Sequence, residues 1–148
     1  MKLRALVVLT LIGCGGDDGG APIDPSVPAT PYCAPVAGFT STALEDEILT
    51  IVNQHRAAGA TCGGQAMAAV PPLTIVPSLR CAARVHTKDM VDRGYFDHTN
   101  PDGEQPWDRM ERAGYAWSSA GENIAAGNGT AVATMDQWMN SAGHCRNI

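Results

Sequence analysis

The chain has no excess of positive charge, no hydrophobic run long enough to cross a bilayer, and no even set of cysteines. Lys and Arg number 10 against 15 Asp and Glu, for a formal charge of −5. An acidic chain without basic patches is a poor counterion for phosphate, so nucleic acid is excluded as a partner. The same balance argues against docking on anionic lipid through charge. The most apolar stretch, Ala5 to Ile12, is too short for a membrane-spanning helix. No glycine-rich phosphate loop follows a strand, no serine sits in a nucleophile-elbow pattern, and no internal repeat is found. The 148 residues, 45% hydrophobic and 17% charged, suit one globular domain.

What is present begins with an export signature. Lys2 and Arg4 precede the apolar run, which ends in Leu11-Ile12-Gly13-Cys14. That ending resembles the lipobox of bacterial lipoproteins and implies cleavage after Gly13 and acylation of Cys14; an ordinary secretory signal is the alternative. Removing residues 1–13 takes away Lys2 and Arg4, two of the 10 basic residues, and none of the 15 acidic ones, leaving a formal charge of −7. With Cys14 acylated, the five cysteines reduce to Cys33, Cys62, Cys81 and Cys145, an even set that suits two disulfides in an oxidising compartment. Sequence alone leaves three connectivities open. Residues 14–41, rich in Gly, Pro and Asp, read as a tether, with its far end near Cys33 pinned to the domain of residues 42–148.

Within that domain, Thr42 with Glu45 forms a capping box and opens a first helix, whose apolar positions are Leu44, Ile48, Ile51 and Val52, with Gly59 as its stop. Ala60 to Ile75 reads as a loop. A second helix runs from Pro77 to Gly94, with Leu79, Ala82, Ala83, His86 and Met90 inward and Arg80, Arg84, Lys88 and Asp92 solvated. His86 is expected to be a core histidine bonded to backbone. The stretch Tyr95 to Gly103 is a loop, and a short third helix covers Pro106 to Ala113 with Trp107 and Met110 inward. A fourth covers Thr130 to Asn140 with Val132, Met135, Trp138 and Met139 as apolar positions.

Between the third and fourth helices lies Gly121-Glu122-Asn123-Ile124-Ala125-Ala126-Gly127, a carboxylate beside residues that look buried. A buried carboxylate needs a partner, and His98 and His144 are the candidates. Two imidazoles and a carboxylate can hold a divalent ion with an open position or act as a general acid and base. The bland reading is a Glu122 satisfied by a histidine and backbone amides. Cys81 and Cys145, near His86 and His144, are better read as disulfide partners than as nucleophiles.

Taken in order, Asn53-Gln54-His55-Arg56, Leu79 to Met90, Tyr95-Phe96-Asp97-His98, Gly114-Tyr115, Gly121 to Gly127 and Trp138 to Ile148 resemble the CAP superfamily of cysteine-rich secretory, antigen five and pathogenesis-related proteins, and most of all its bacterial SCP-like extracellular branch. The resemblance covers about residues 43–148. It implies an α+β fold, an α-β-α sandwich represented here mostly by its helices, and a cleft that can bind a divalent metal such as zinc, calcium or magnesium. His98 matches the family's first histidine, Glu122 the glutamate of its Gly-Glu-Asn motif, and His144 the histidine of the bacterial Ser-x-Gly-His pattern. The second glutamate of eukaryotic members is absent after Trp138. The second cleft histidine and two final strands would lie beyond Ile148, so a weakly folded chain with an open sheet edge is expected. The resemblance also implies Cys62–Cys145, leaving Cys33–Cys81. No catalytic residue is assigned. The expected protein is an exported binding module, lipid-anchored to the bacterial envelope or extracellular, whose ligand is a lipid, a peptide or an envelope component. A metal-dependent, peptidase-like hydrolase and a structural envelope protein with a degenerate site are the alternatives.

Overall fold

The computed structural model describes residues 5–7, 30–36 and 42–148. The acylation site Cys14 and most of the 14–41 tether lie outside the described residues. The fold is α+β and mainly helical. Its elements run β1 (Ala5–Val7), a 3-10 turn (Pro31–Cys33), α1 (Ala43–Ala58), β2 (Ala60–Cys62), β3 (Gln65–Met67), α2 (Pro77–Arg93), α3 (Pro106–Arg112), β4 (Ile124–Ala126), α4 (Ala131–Met139) and α5 (Ala142–Arg146).

Helix α1 starts where its cap dictates. Thr42 Oγ1 accepts from the Glu45 amide at 3.3 Å, and Glu45 Oε2 accepts from the Thr42 amide at 3.1 Å. Glu45 also takes a bidentate bond from Arg84, with Nε and Nη2 both at 2.7 Å. Arg84 therefore does not belong to a solvated face: it ties the start of α1 to α2. Ile48 and Val52 of α1 pack with Ala125, Ala131, Met135 and Trp138 into an apolar cluster against α4. Trp138 is fully buried and donates its indole N–H to the Ile124 carbonyl at 3.2 Å. A second cluster gathers Leu79, Ala82, Met110 and Ala113 of α2 and α3 around Cys33 and Cys81.

The expected loop after α1 is in part a hairpin. β2 and β3 pair antiparallel with Cys62 opposite Gln65. Gly63 (φ +59°) and Gly64 (φ +85°) supply the two left-handed residues that a two-residue turn demands. Beyond β3 the chain is clasped to α1: Asn53 exchanges two bonds with the backbone of Leu73, at 2.7 and 3.0 Å, and Arg56 Nε donates to the Pro71 carbonyl at 2.8 Å. Asn53 and Arg56 thus hold a loop in place.

A further expectation fails: Trp107, expected inward, is 44% exposed, and Val132, an apolar position of the fourth helix, is 54% exposed. In α3 the inward stripe is Pro106, Arg109, Met110 and Ala113, one position round from Trp107. The last residues form the short helix α5, a feature the sequence pattern did not show.

The small sheet is β4 paired antiparallel with β1, Leu6 opposite Ala125. Disulfides join Cys33 to Cys81 and Cys62 to Cys145, the latter fastening α5 to the hairpin across 83 residues of sequence. Closing a loop of that length stabilises the fold by about 4–5 kcal/mol in the chain-entropy model. No helix among the described residues is long and apolar enough to cross a membrane.

Candidate functional site

Glu122 precedes β4 and is 8% exposed. Its carboxylate accepts from His98 Nδ1 at 2.8 Å through Oε1, and from Arg109 Nη2 at 3.1 Å through Oε1 and 2.9 Å through Oε2. The expected pairing with His98 is present. Arg109, on the inward face of α3 and 1% exposed, is the partner that sequence reasoning missed. The helical period could have revealed it. Residues 106, 109, 110 and 113 share one face, so an arginine at 109 had to be buried and had to find an anion.

Arg109 does more than neutralise Glu122. Its Nη2 donates to the His98 carbonyl at 2.9 Å and its Nη1 to the Glu104 carbonyl at 3.1 Å. One guanidinium thereby fixes both ends of the loop that carries His98. The loop also stitches itself: Asn100 Oδ1 accepts from the amides of Asp102 and Glu104, and Asp97 Oδ1 from that of Thr99. His86 lies beneath it, fully buried, with Nε2 bonded to the Asp97 carbonyl at 2.9 Å. It is the expected core histidine. Burial, aided by the positive charge of Arg109, holds its pKa below the usual imidazole value, so it stays neutral.

The two charged partners move in opposite directions. The hydrogen bond to Glu122 raises the His98 pKa, and this outweighs the cost of its partial burial. For Glu122, burial pushes the pKa up, but the hydrogen bond from His98 and the charge of Arg109 together bring it below the usual carboxylate value. With Nδ1 committed to Glu122, Nε2 is the His98 nitrogen available to a ligand. His98 lines a cleft of about 290 Å³ together with Gln105, Pro106, Trp107, Met110, Ala120, Gly121 and Glu122, at the small end of ligand sites.

His144 is placed differently. It is on α5 and is not among the residues lining the cleft. Its carbonyl accepts from Asn123 Nδ2 at 3.1 Å, its Nδ1 is buried without a hydrogen-bond partner, and its pKa is lowered by burial and by the charge of His98. Asn123, fully buried, also accepts from Asn147 Nδ2 at 2.9 Å. A β-carbon on Gly121 would come within 3.3 Å of the Asn147 side chain, which accounts for the glycine before Glu122. Among the described residues no group of three or more His, Cys, Asp or Glu side chains is arranged to hold a metal. His98 Nδ1 and both Glu122 oxygens are already bonded internally, and a guanidinium occupies the approach to the carboxylate. As arranged, these side chains do not fit a divalent ion.

The chain is thus a mainly helical α+β domain with two disulfides and a histidine–glutamate cleft just before β4. The chain belongs to the CAP, or cysteine-rich secretory protein, family, whose model matches residues 49–148. It is 44% identical over 77 residues to "Uncharacterized protein YkwD" of Bacillus subtilis (strain 168), covering 52% of this chain and 30% of that protein. It is 36% identical over 59 residues to "Uncharacterized membrane protein YlbC" of the same organism, covering 40% of this chain and 17% of that protein. The chain therefore spans less than a third of the length of either relative. No solved structure matches it.

Proposed function

We propose that this CAP domain is an exported binding module that takes a small polar ligand in the cleft beside His98. The observation that supports this is the Arg109–Glu122–His98 chain of hydrogen bonds. It spends a buried ion pair on fixing one half-exposed imidazole at the edge of a cleft, with Nε2 left for a partner. Among the described residues the imidazole is bonded to Glu122 and to no serine, threonine or cysteine, which favours binding over a side-chain nucleophile mechanism. Histidine resonances of the full chain followed by NMR test this reading against its rivals. A binding module gives ligand-dependent shifts at His98 and no turnover. Calorimetric titration with zinc, calcium and magnesium is expected to give no saturable heat. Heat that disappears in His98→Ala would restore the metal site, and peptide hydrolysis abolished by the same substitution would establish the hydrolase.

Export is supported by the two disulfides and by the Lys2–Cys14 pattern. Lipid anchoring at Cys14 predicts that Cys14→Ser moves the protein from the membrane to the soluble fraction of a bacterial host; an unchanged distribution would reject it. Cleavage after Gly13 would also remove β1 and leave the β4 edge open to another strand.

A further inference from the structure

The chain has three tryptophans, and they are used in opposite ways. Trp138 is fully buried, whereas Trp107 and Trp117 are 44% and 39% exposed. The exposed pair stands together, ring centroids 6.4 Å apart and planes inclined by 46°. Trp117 is held by a bond from its indole N–H to Glu111 Oε1 at 3.1 Å, and Trp107 is itself a wall of the cleft. Two large rings left on one rim beside a cleft mark a contact surface.

The surroundings restrict what can lie there. The charge in the cleft is cancelled internally, because Glu122 is paired with Arg109. Arg112, on the same helix, is engaged by Glu104 at 2.7 Å. An anionic ligand would find these two guanidinium groups committed. A cationic one would find the Glu122 carboxylate already engaged by Arg109 and His98. A purely apolar ligand would strip water from the imidazole of His98 and the amide of Gln105 without replacing their hydrogen bonds. Gln105 is pinned in place by a bond from Nε2 to Thr99 Oγ1 at 2.9 Å. The complementary ligand is neutral, with a flat apolar face for the indoles and a rim of hydroxyls for His98 and Gln105. A pyranose ring has both.

We propose that Trp107 and Trp117 form an aromatic ledge for a sugar ring of a neutral oligosaccharide, with hydroxyls of that ring reaching His98 and Gln105 in the cleft. This names the ligand class of the binding module proposed above and rests on that reading.

The test titrates the full chain with chitotetraose and cellotetraose, reading tryptophan emission and the His98 NMR resonance. Saturable quenching with a coincident His98 shift is expected for at least one sugar. Preference for chitotetraose would point to N-acetylated glycans, and equal binding to recognition of the ring alone. Trp107→Ala should weaken binding by at least about tenfold, as loss of a central aromatic anchor does, and Trp117→Ala by less. Neither indole belongs to the buried core, so both variants should keep the parent thermal midpoint and the parent His98 titration. Binding unaffected by Trp107→Ala overturns the ledge. If neither sugar binds while phosphatidylcholine vesicles or tetra-alanine shift His98, the sugar assignment is overturned and the binding module stands. If none of these probes binds, both are overturned.

Discussion

The two halves of this domain are built on different principles. Where α1 meets α4, the interior is Ile48, Val52, Ala125, Met135 and Trp138, with Trp138 satisfying its one polar atom on backbone. Where α3 meets the loop of residues 95–105, the interior includes Arg109, Glu122 and His86, each less than a tenth exposed. The first half gains stability from removing apolar surface from water. The second accepts the cost of desolvating charge and recovers it only through geometry, since a buried pair is worth little unless its hydrogen bonds are made. The proposed binding site falls on the second half because a ligand needs polar groups held at fixed angles, and charge inside a low-dielectric wall holds them. The first half is a frame for it, and the Cys62–Cys145 bond ties the frame to the chain that follows Glu122.

Arg109→Met should cost about 3–5 kcal/mol in urea unfolding, because it leaves Glu122 buried without its cation. Trp138→Ala should cost a similar amount, about 3–5 kcal/mol, by opening a cavity. The two differ in what they do at a distance. Arg109→Met should alter the His98 NMR titration and loosen the 95–105 loop to hydrogen exchange, while Trp138→Ala should leave the His98 midpoint unchanged. If the two halves are as distinct as they look, the double variant Arg109→Met/Glu122→Leu should recover most of the stability lost in Arg109→Met, since no charge is then left unpaired. It should still lack the raised His98 pKa.

The pH dependence is a subtler test, and its sign follows from the shifts. Glu122 has a lowered pKa, so its contribution is complete above the ordinary carboxylate range and is lost as pH falls through the lowered value. His98 has a raised pKa, so its contribution is complete below the ordinary imidazole range and is lost as pH rises through the raised value. His144, lowered by burial, opposes His98: its contribution is present above the ordinary imidazole range and is lost as pH falls through its own lowered value. Thermal midpoints should therefore decline at both ends, steeply in acid. Glu122→Gln should bring the His98 midpoint down and remove its part of the alkaline decline. An unmoved His98 midpoint would show that the Nδ1–Oε1 bond does not persist in solution.

Much of this was legible in the order of residues. The Thr42–Glu45 box sets the start of α1, because the first amides of a helix need acceptors and the sequence puts them three residues apart. Pro77 and Gly94 bracket α2, and the spacing of Leu79, Ala82, Ala83, His86 and Met90 defines its buried face. Glu122 beside His98 was foreshadowed by the motif order and by the need of a buried carboxylate for a partner. Other features were not read. The Gly63–Gly64 turn carried a hairpin signal in plain view. Trp107 lies off the buried stripe of α3, which runs through Pro106, Arg109 and Met110.

What the sequence determined by itself is local: caps, turns, helix faces, and which side chains could not be left alone in an apolar interior. Backbone and side-chain chemistry within a few residues is enough for these. Which partner answers each need was decided only by the tertiary structure. Arg109 lies 13 residues from Glu122, and His98 lies 24 residues from it. Their meeting depends on how α3, the 95–105 loop and β4 pack together. The same packing seats His144 outside the cleft lining and leaves Trp107 on its rim, since a side chain's role there is set by what stands across from it.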